Sequence, residues 1–253
     1  METGEIKNFM KLLAVESGAI VKKYFRQEIA IESKQDESPV TIADKKAEEV
    51  LRELIMKEFP AHGIIGEEFG TQNSDAEYKW ILDPIDGTKS FISGTVTFGT
   101  LIALTKNDHP IAGVINQPVL GEFLFGDNLN CELNDRPVKM RGARELNECT
   151  LLSTDHLHFE KYRDPVKYND LIHRVKLYRN WGDCYGYYLL ATGYADIMID
   201  PIMHVWDTMA VVPIIRGAGG ELTDYYGNDV LKGDSVIAAQ PEIINKVLEI
   251  LNK

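Results

Sequence analysis

Apolar residues recur near helical spacing through the first part of the chain. Ile6, Met10, Leu13, Ile20 and Tyr24 fall between Glu5 and Gln27, and this pattern predicts an amphipathic helix. Ser33 to Pro39 is polar and rich in chain-breaking residues, so a loop is expected there. A second helix is predicted from Thr41 to Phe59, with Val50, Leu51, Leu54 and Ile55 inward and Pro60 closing it. Thr41 followed three positions later by Asp44 has the spacing of a capping box.

Short apolar runs then take over and predict strands at Gly63–Gly66, Trp80–Asp83, Phe98–Leu104, Ile111–Val119 and Glu122–Phe125. The later part alternates. Strands are expected near Val175–Tyr178, Asp196–Ile199 and Val236–Ala239, between helices at Tyr185–Thr192, Thr208–Arg216 and Pro241–Leu251. The best division falls near 140–147, where Arg141-Gly142-Ala143-Arg144 interrupts the pattern. It separates an N-terminal α+β half, 1–143, from a C-terminal α/β half, 144–253. Strands first and mixed elements later suggest two sheets layered with helices.

Composition narrows the functional classes. The chain has 253 residues and 44% hydrophobic content, enough for a large core. No apolar run approaches the roughly 18 residues of a membrane span. The start, Met1-Glu2-Thr3-Gly4-Glu5, lacks the basic and then apolar pattern of a signal peptide. Three scattered cysteines, Cys131, Cys149 and Cys184, suit neither a disulfide framework nor a zinc site. A reduced, cytoplasmic protein without a membrane partner is expected. The net charge of −12 argues against nucleic acid, which calls for clustered Lys and Arg. An enzyme that brings its own divalent cations tolerates such a charge.

The segment Asp83-Pro84-Ile85-Asp86-Gly87-Thr88 carries the sharpest chemistry. Pro84 stiffens the turn, so Asp83, Asp86 and the Ile85 carbonyl can be aimed at one point, as hard cations require. A helix starting at Gly87-Thr88 would offer free N–H groups to a phosphate. Gly66-Glu67-Glu68 leaves a glycine-flanked strand end and suggests another metal ligand. Asp207, in Trp206-Asp207-Thr208, reads equally as a ligand or as a helix N-cap. Asp44 on its own reads as a complement to the helix dipole.

Gly66-Glu67-Glu68, Asp83-Pro84-Ile85-Asp86-Gly87-Thr88 and Trp206-Asp207, with Gly217-Ala218-Gly219-Gly220 after them, resemble the inositol monophosphatase family in the family's order. The resemblance runs from about Lys34 to Asp224. It implies a layered αβαβα sandwich, a homodimer and lithium-sensitive, magnesium-dependent phosphatase activity. Matched position by position, Glu67, Asp83, Asp86, Asp207 and the Ile85 carbonyl are the implied magnesium ligands, with Asp44 an outer ligand of a third ion. Gly87 and Thr88 match the phosphate-binding amides, and Glu67 with Thr88 matches the pair that orients the attacking water. The implied reaction is direct hydrolysis, with two ions about 3.5–4 Å apart clamping the phosphate. No Cys or Ser nucleophile is needed, Cys184 included.

Within the family, the chain is similar over longer stretches to the histidinol-phosphate phosphatases, in Ser38–Asp44, Asp86–Phe91, Phe98–Leu104, Gly113–Val119 and Gly182–Tyr185. Histidinol carries a cationic amine and an imidazole, which a pocket should meet with carboxylates. Asp183 and Asp200 are the candidates; Asp183 alternatively reads as a helix N-cap and Asp200 as a turn residue. Tyr185, Tyr187 and Tyr188 read as half-buried packing, and His204 as a loop histidine. The chain departs from that branch at Val96, Asn116, Phe123-Leu124 and Trp206, the last being the inositol-branch residue. A broad inositol-1-phosphate or sugar phosphatase is therefore the rival reading, with a non-catalytic regulatory binding protein behind it. A kinase-type site is set aside because no Gly-x-x-x-x-Gly-Lys loop is present.

Overall fold

The computed structural model describes residues 2–33 and 39–252. The centre of the expected Ser33–Pro39 loop, residues 34–38, lies outside the described residues. Helix α1 (Thr3–Tyr24) forms where the apolar spacing places it and buries Ile6, Met10, Leu13 and Val21. Strands β1 (Ile31–Ser33) and β2 (Pro39–Thr41) pair antiparallel and lead into α2 (Ile42–Glu58). The expected capping box is present: Ala43 N–H donates to Thr41 Oγ1 (3.1 Å), and Thr41 N–H donates to Asp44 Oδ2 (2.8 Å).

An eight-stranded sheet follows, from β3 (Gly63–Gly66), β4 (Gly70–Gln72), β5 (Tyr78–Asp86), β6 (Gly99–Lys106), β7 (His109–Gln117), β8 (Glu122–Gly126), β9 (Cys131–Leu133) and β10 (Arg136–Pro137). Its spatial order is β10-β9-β8-β7-β6-β5-β3-β4, and only the β3–β5 pair is parallel. Helix α3 (Thr88–Ile92) leaves the end of β5. The chain then changes sheets between Pro137 and Thr150. The second sheet holds β11 (Thr150–Leu152), β12 (Leu177–Arg179), β13 (Ile197–Asp200), β14 (Glu221–Thr223) and β15 (Val236–Ala239), in the order β12-β11-β13-β15-β14. Between those strands run α4 (Leu157–Tyr162), α5 (Pro165–Arg174), α6 (Asp183–Ala191) and α7 (Val205–Gly217), and α8 (Pro241–Asn252) comes last.

Alternate side chains of the strands face different helix layers. Trp80 and Leu82 of β5 join α1 and α2 in one cluster, while Ile81 joins α6 and α7 in another. In the second sheet, Leu152 and Met198 face α6 and α7, whereas Leu151, Ile197 and Ile199 pack with α5 and α8. The result is the expected αβαβα sandwich, with α6 and α7 filling its centre. Both sheets are covered on each face along these strands, so β5 reads as a near-continuous apolar run.

Helix α7 lies unusually close to the first sheet. A Cβ at Gly113 would strike the Ala210 carbonyl, and one at Gly126 would strike the Ile214 backbone. This close seat brings the start of α7 to the end of β5. The sequence reading misses the short strands β1, β2, β4, β9, β10, β11 and β14 and the helices α4 and α5, and the strand expected at 175–178 forms at 177–179. All three cysteines are buried and free. Among the described residues, no helix is long and apolar enough to cross a membrane.

Candidate active site

The stiff turn at the end of β5 does what its sequence suggests. Pairing with β6 is regular to Asp83, opposite Leu101, then slips before Asp86, opposite Gly99. A bulge of this kind bends a strand and re-aims its side chains, and Pro84, with no N–H to offer the ladder, sits inside it. The Pro84 carbonyl accepts from Thr100 Oγ1 (2.9 Å). Gly87 adopts φ 86°, a left-handed conformation natural to glycine, and starts α3. Asp83 and Asp86 therefore face one cavity of about 590 Å³, with Gly87 and Thr88 at its floor.

Glu67 reaches the same cavity from the loop after β3. That loop is held by Glu48 of α2, a fully buried carboxylate the sequence reading passed over. Glu68 N–H donates to Glu48 Oε2 (2.8 Å) and Phe69 N–H to Glu48 Oε1 (3.2 Å), while Arg52 Nε pairs with Oε1 (2.7 Å). A Cβ at Gly66 would collide with the Glu48 carboxylate. The glycine before Glu67 is thus a packing requirement.

Asp207 comes from the first turn of α7. His204, not Asp207, is the N-cap; Asp207 is the third helical residue and accepts from His204 N–H (2.8 Å). Oxygens of Asp83, Asp86 and Asp207 lie within 4.8 Å of one another. Three carboxylates this close in a buried setting oppose their own ionisation. Burial, then Glu67, Asp86 and Asp207, push Asp83 well above the usual carboxylate range. Asp86 is pushed well above it by burial and then by Asp183 and Asp207. Asp207 rises to about 7, chiefly through burial. Asp83 Oδ1 is buried with no hydrogen-bond partner among the described residues. A buried, partnerless carboxylate oxygen amid other acids is costly unless a cation meets it. The donor set, all oxygen, therefore fits hard divalent cations.

Asp44 stands just behind this group. Its Oδ2 is taken by Thr41, and its Oδ1 lies 3.3 Å from Thr88 Oγ1. The Thr88 hydroxyl is also 3.0 Å from the Ile85 carbonyl oxygen. Its single proton serves one acceptor at a time, which leaves a lone pair for another donor.

The opposite wall is a hydrogen-bonded unit. Asp200, at the end of β13, accepts from Thr154 N–H (3.1 Å) and from Tyr187 Oη (2.9 Å). Thr154 Oγ1 in turn accepts from Asp183 N–H (2.8 Å). A Cβ at Gly182 would strike the Thr154 backbone, so the two loops are locked face to face. Asp183 does not cap α6: Gly182 holds the N-cap position, and Asp183 sits at φ 49° as the first helical residue. Such backbone is uncommon outside glycine and is held by its surroundings. The Asp183 carboxyl rises to about 7, through burial and then the charge of Asp200. Cys184 N–H donates to Asp86 and ties the two walls together. The Cys184 thiol, pushed well above its normal pKa by burial and by Asp86, stays protonated.

All the sequence-chosen residues except Asp44 line the cavity or, for the Ile85 carbonyl, form its floor. Tyr187 proves buried and engaged with Asp200 rather than half-exposed packing; Tyr188 is buried too, and Tyr185 stacks on it (5.6 Å). His204 stacks on Trp206 (5.0 Å) at the cavity. Of the departures from the histidinol branch, only Trp206 lines the cavity. Asn116 instead donates to the Ala14 carbonyl (3.0 Å), and Phe123 and Leu124 are core residues. Thr154, Asp155, His158 and Asn180 complete the wall. The sequence reading missed them because no periodicity marks the loops and short helix that carry them.

The sequence model of the inositol monophosphatase family matches residues 3–253. The chain is 43% identical over 222 residues to the chloroplastic bifunctional phosphatase IMPL2 of Arabidopsis thaliana, a match covering 87% of this chain and 64% of that protein. The chain thus spans under two thirds of that relative's length. It is 38% identical over 234 residues to a histidinol-phosphatase of Chlorobaculum parvum, covering 90% and 89% of the two chains. Among solved structures, an inositol monophosphatase from Zymomonas mobilis matches with a TM-score of 0.89 at 34% identity over 100% of both chains.

Proposed function

Because this chain belongs to the inositol monophosphatase family and is a phosphoric monoester hydrolase, we propose that it is a magnesium-dependent phosphatase of L-histidinol phosphate, acting in histidine biosynthesis. The observation that carries this reading is the charge of the cavity: seven carboxylates and one lysine line it. Glu67, Asp83, Asp86 and Asp207, with the Ile85 carbonyl, would hold two magnesium ions, and Asp44 would serve a third from behind. When bound, the ions supply charge neutralisation for the phosphate and activate water at neutral pH.

The chain's own groups do the rest. Gly87 and Thr88 present the backbone at the start of α3 to the phosphate. Glu67 and the Thr88 hydroxyl orient the attacking water, and Thr88 keeps its proton in a hydrogen bond to the Ile85 carbonyl or to Asp44, leaving a lone pair to accept from the water. Water is the nucleophile, since the Cys184 thiol stays protonated.

Three carboxylates remain once the cation-holding acids are set aside: Asp155, Asp183 and Asp200. Asp183 is close to the phosphate end, because a Cβ at Gly87 would lie 2.9 Å from its Oδ2. An ammonium group beside the ester oxygen would satisfy that buried carboxyl, whereas a neutral ring would leave it uncompensated. Asp200 shapes this subsite through Thr154 and Tyr187. The likeness to the Chlorobaculum parvum histidinol-phosphatase agrees with this reading. Trp206 at the cavity and the likeness to the Zymomonas mobilis inositol monophosphatase favour the rival reading of a broad inositol or sugar phosphatase. We further propose a cytoplasmic homodimer that engages neither membrane nor nucleic acid, in keeping with the net charge of −12. Phosphate release from L-histidinol phosphate in the presence of magnesium, abolished by a chelator and restored by added ions, tests the proposal. Turnover unaffected by the chelator would refute the metal assignment.

A further inference from the structure

We propose that Asp155, with His158 beside it, forms the outer end of the leaving-group subsite and accepts a hydrogen bond from the N–H of a nitrogen heterocycle. The inference rests on the reading of a cationic amino-alcohol leaving group and deepens it. Both residues line the cavity, both side chains are 33% exposed, and His158 Nε2 lies 3.6 Å from Asp155 Oδ2. Leu157 N–H donates to Asp155 Oδ1 (2.9 Å), which ties the carboxylate to the first turn of α4 and leaves Oδ2 to His158 and the cavity.

Asp155 is also fixed relative to the rest of the wall. Its neighbour Thr154 is bonded on one side to Asp200 and on the other to Asp183. The charge of Asp155 is felt at Asp183, so the two acids lie along one wall. Asp183 is the inner one, against Gly87, while Asp155 is the outer one, its side chain one-third exposed. An L-histidinol ester has the same order: its ammonium sits one carbon from the ester CH₂, and its imidazole lies farther out. Matching inner to inner and outer to outer gives Asp183 the amine and Asp155 the ring N–H.

A carboxylate one-third exposed gains little from a neutral hydroxyl, which water replaces at no cost. A charged or polarised ring N–H makes the stronger, charge-assisted bond. His158 does not oppose a cation there, because burial and then Lys89 and Lys161 outweigh the pull of Asp155 and keep its imidazole neutral. At 3.6 Å its neutral ring flanks the Asp155 carboxylate without bonding to it, and so bounds the space beside Oδ2 as a positioning residue.

The test compares wild type, Asp155→Asn and His158→Gln on three esters: L-histidinol phosphate, 2-aminopropyl phosphate, which keeps the amine and lacks the ring, and inositol-1-phosphate. Asparagine keeps the cap on Leu157, and a thermal melt of each variant checks the fold. Asp155→Asn should lose about tenfold in kcat/KM on L-histidinol phosphate, mostly in KM, and under about twofold on the other two. His158→Gln should show the same ring selectivity with a smaller loss. Equal losses on the ring-bearing and ringless amines, or no loss on either, would overturn the inference and leave the amine reading intact. A wild type without preference for either amine over inositol-1-phosphate would overturn both.

Discussion

The two walls of the cavity treat buried carboxylates in opposite ways. On the wall built by β5 and α7, Asp83, Asp86 and Asp207 crowd within 4.8 Å, and Asp83 Oδ1 has no partner among the described residues. On the wall built by the loops before α4 and α6, Asp200 accepts two hydrogen bonds and the Asp183 backbone is pinned to Thr154. Asp86 and Asp207 each accept one backbone N–H, but crowded acids around an unpartnered Asp83 oxygen are unstable alone and wait for cations. Partnered oxygens hold a shape. The first arrangement can serve any phosphate ester, whereas the second selects which alcohol leaves.

The sharpest way to break this contrast is Asp86→Asn. The variant loses a charge from the cation-holding wall and alters the acceptor of the Cys184 N–H that joins the walls. Loss of at least about a thousandfold in kcat/KM, roughly 4 kcal/mol, is expected on every ester. Activity within tenfold of wild type would refute the role of Asp86.

Asp183→Asn should act differently, because it touches the selecting wall. A loss of about thirtyfold on L-histidinol phosphate, roughly 2 kcal/mol, with little change on inositol-1-phosphate is expected. Equal losses on the two esters would place Asp183 in general catalysis.

Gly66→Ala tests whether the cation-holding wall needs its scaffold. The new methyl meets the Glu48 carboxylate that holds the Glu67 loop, so a loss of about 1–3 kcal/mol of stability is expected. A thermal melt and a magnesium titration read it together; unchanged melting and unchanged affinity would sever Glu48 from Glu67.

The smallest effect concerns pH. Without metal, Asp207 and Asp183 are raised from 3.8 to about 7 by burial. A raised carboxyl contributes stability that is complete below the unfolded pKa and disappears as pH climbs through the folded one. The chelated protein should therefore lose a few degrees of melting temperature from about pH 4 to about pH 7. Magnesium, which takes the place of the protons, should stabilise increasingly over the same window. A metal-induced shift that does not grow with pH would separate Asp207 from the cations.

The same contrast explains what the sequence made legible. Asp83-Pro84-Ile85-Asp86-Gly87-Thr88 packs its chemistry into six consecutive residues, so its turn, helix start and ligands could be read directly. Thr41 and Asp44 were readable as a cap because capping obeys a fixed local spacing. The selecting wall is assembled from residues far apart in the chain, Thr154 with Gly182-Asp183 and Asp200 with Tyr187, and no local rule joins them. Asp183 was noticed, but its capping reading failed because its conformation is set by Thr154 rather than by its own helix. Asp207 was assigned to the wrong place in its helix for a related reason: His204, a poor capping residue by type, takes the N-cap role. Glu48 went unmarked since a glutamate inside an amphipathic helix normally faces water, and only the β3 loop folded over it reveals otherwise. The layered fold itself was legible, through apolar runs and the ordered motifs, while β11, α4 and α5 carried too little periodicity.

The most direct measurement is the ratio of kcat/KM for L-histidinol phosphate to that for inositol-1-phosphate, taken with magnesium on the intact protein. A ratio of a hundredfold or more, about 2.7 kcal/mol in transition-state binding, is expected. A ratio near one would contradict the selecting role of the second wall and leave a general phosphatase.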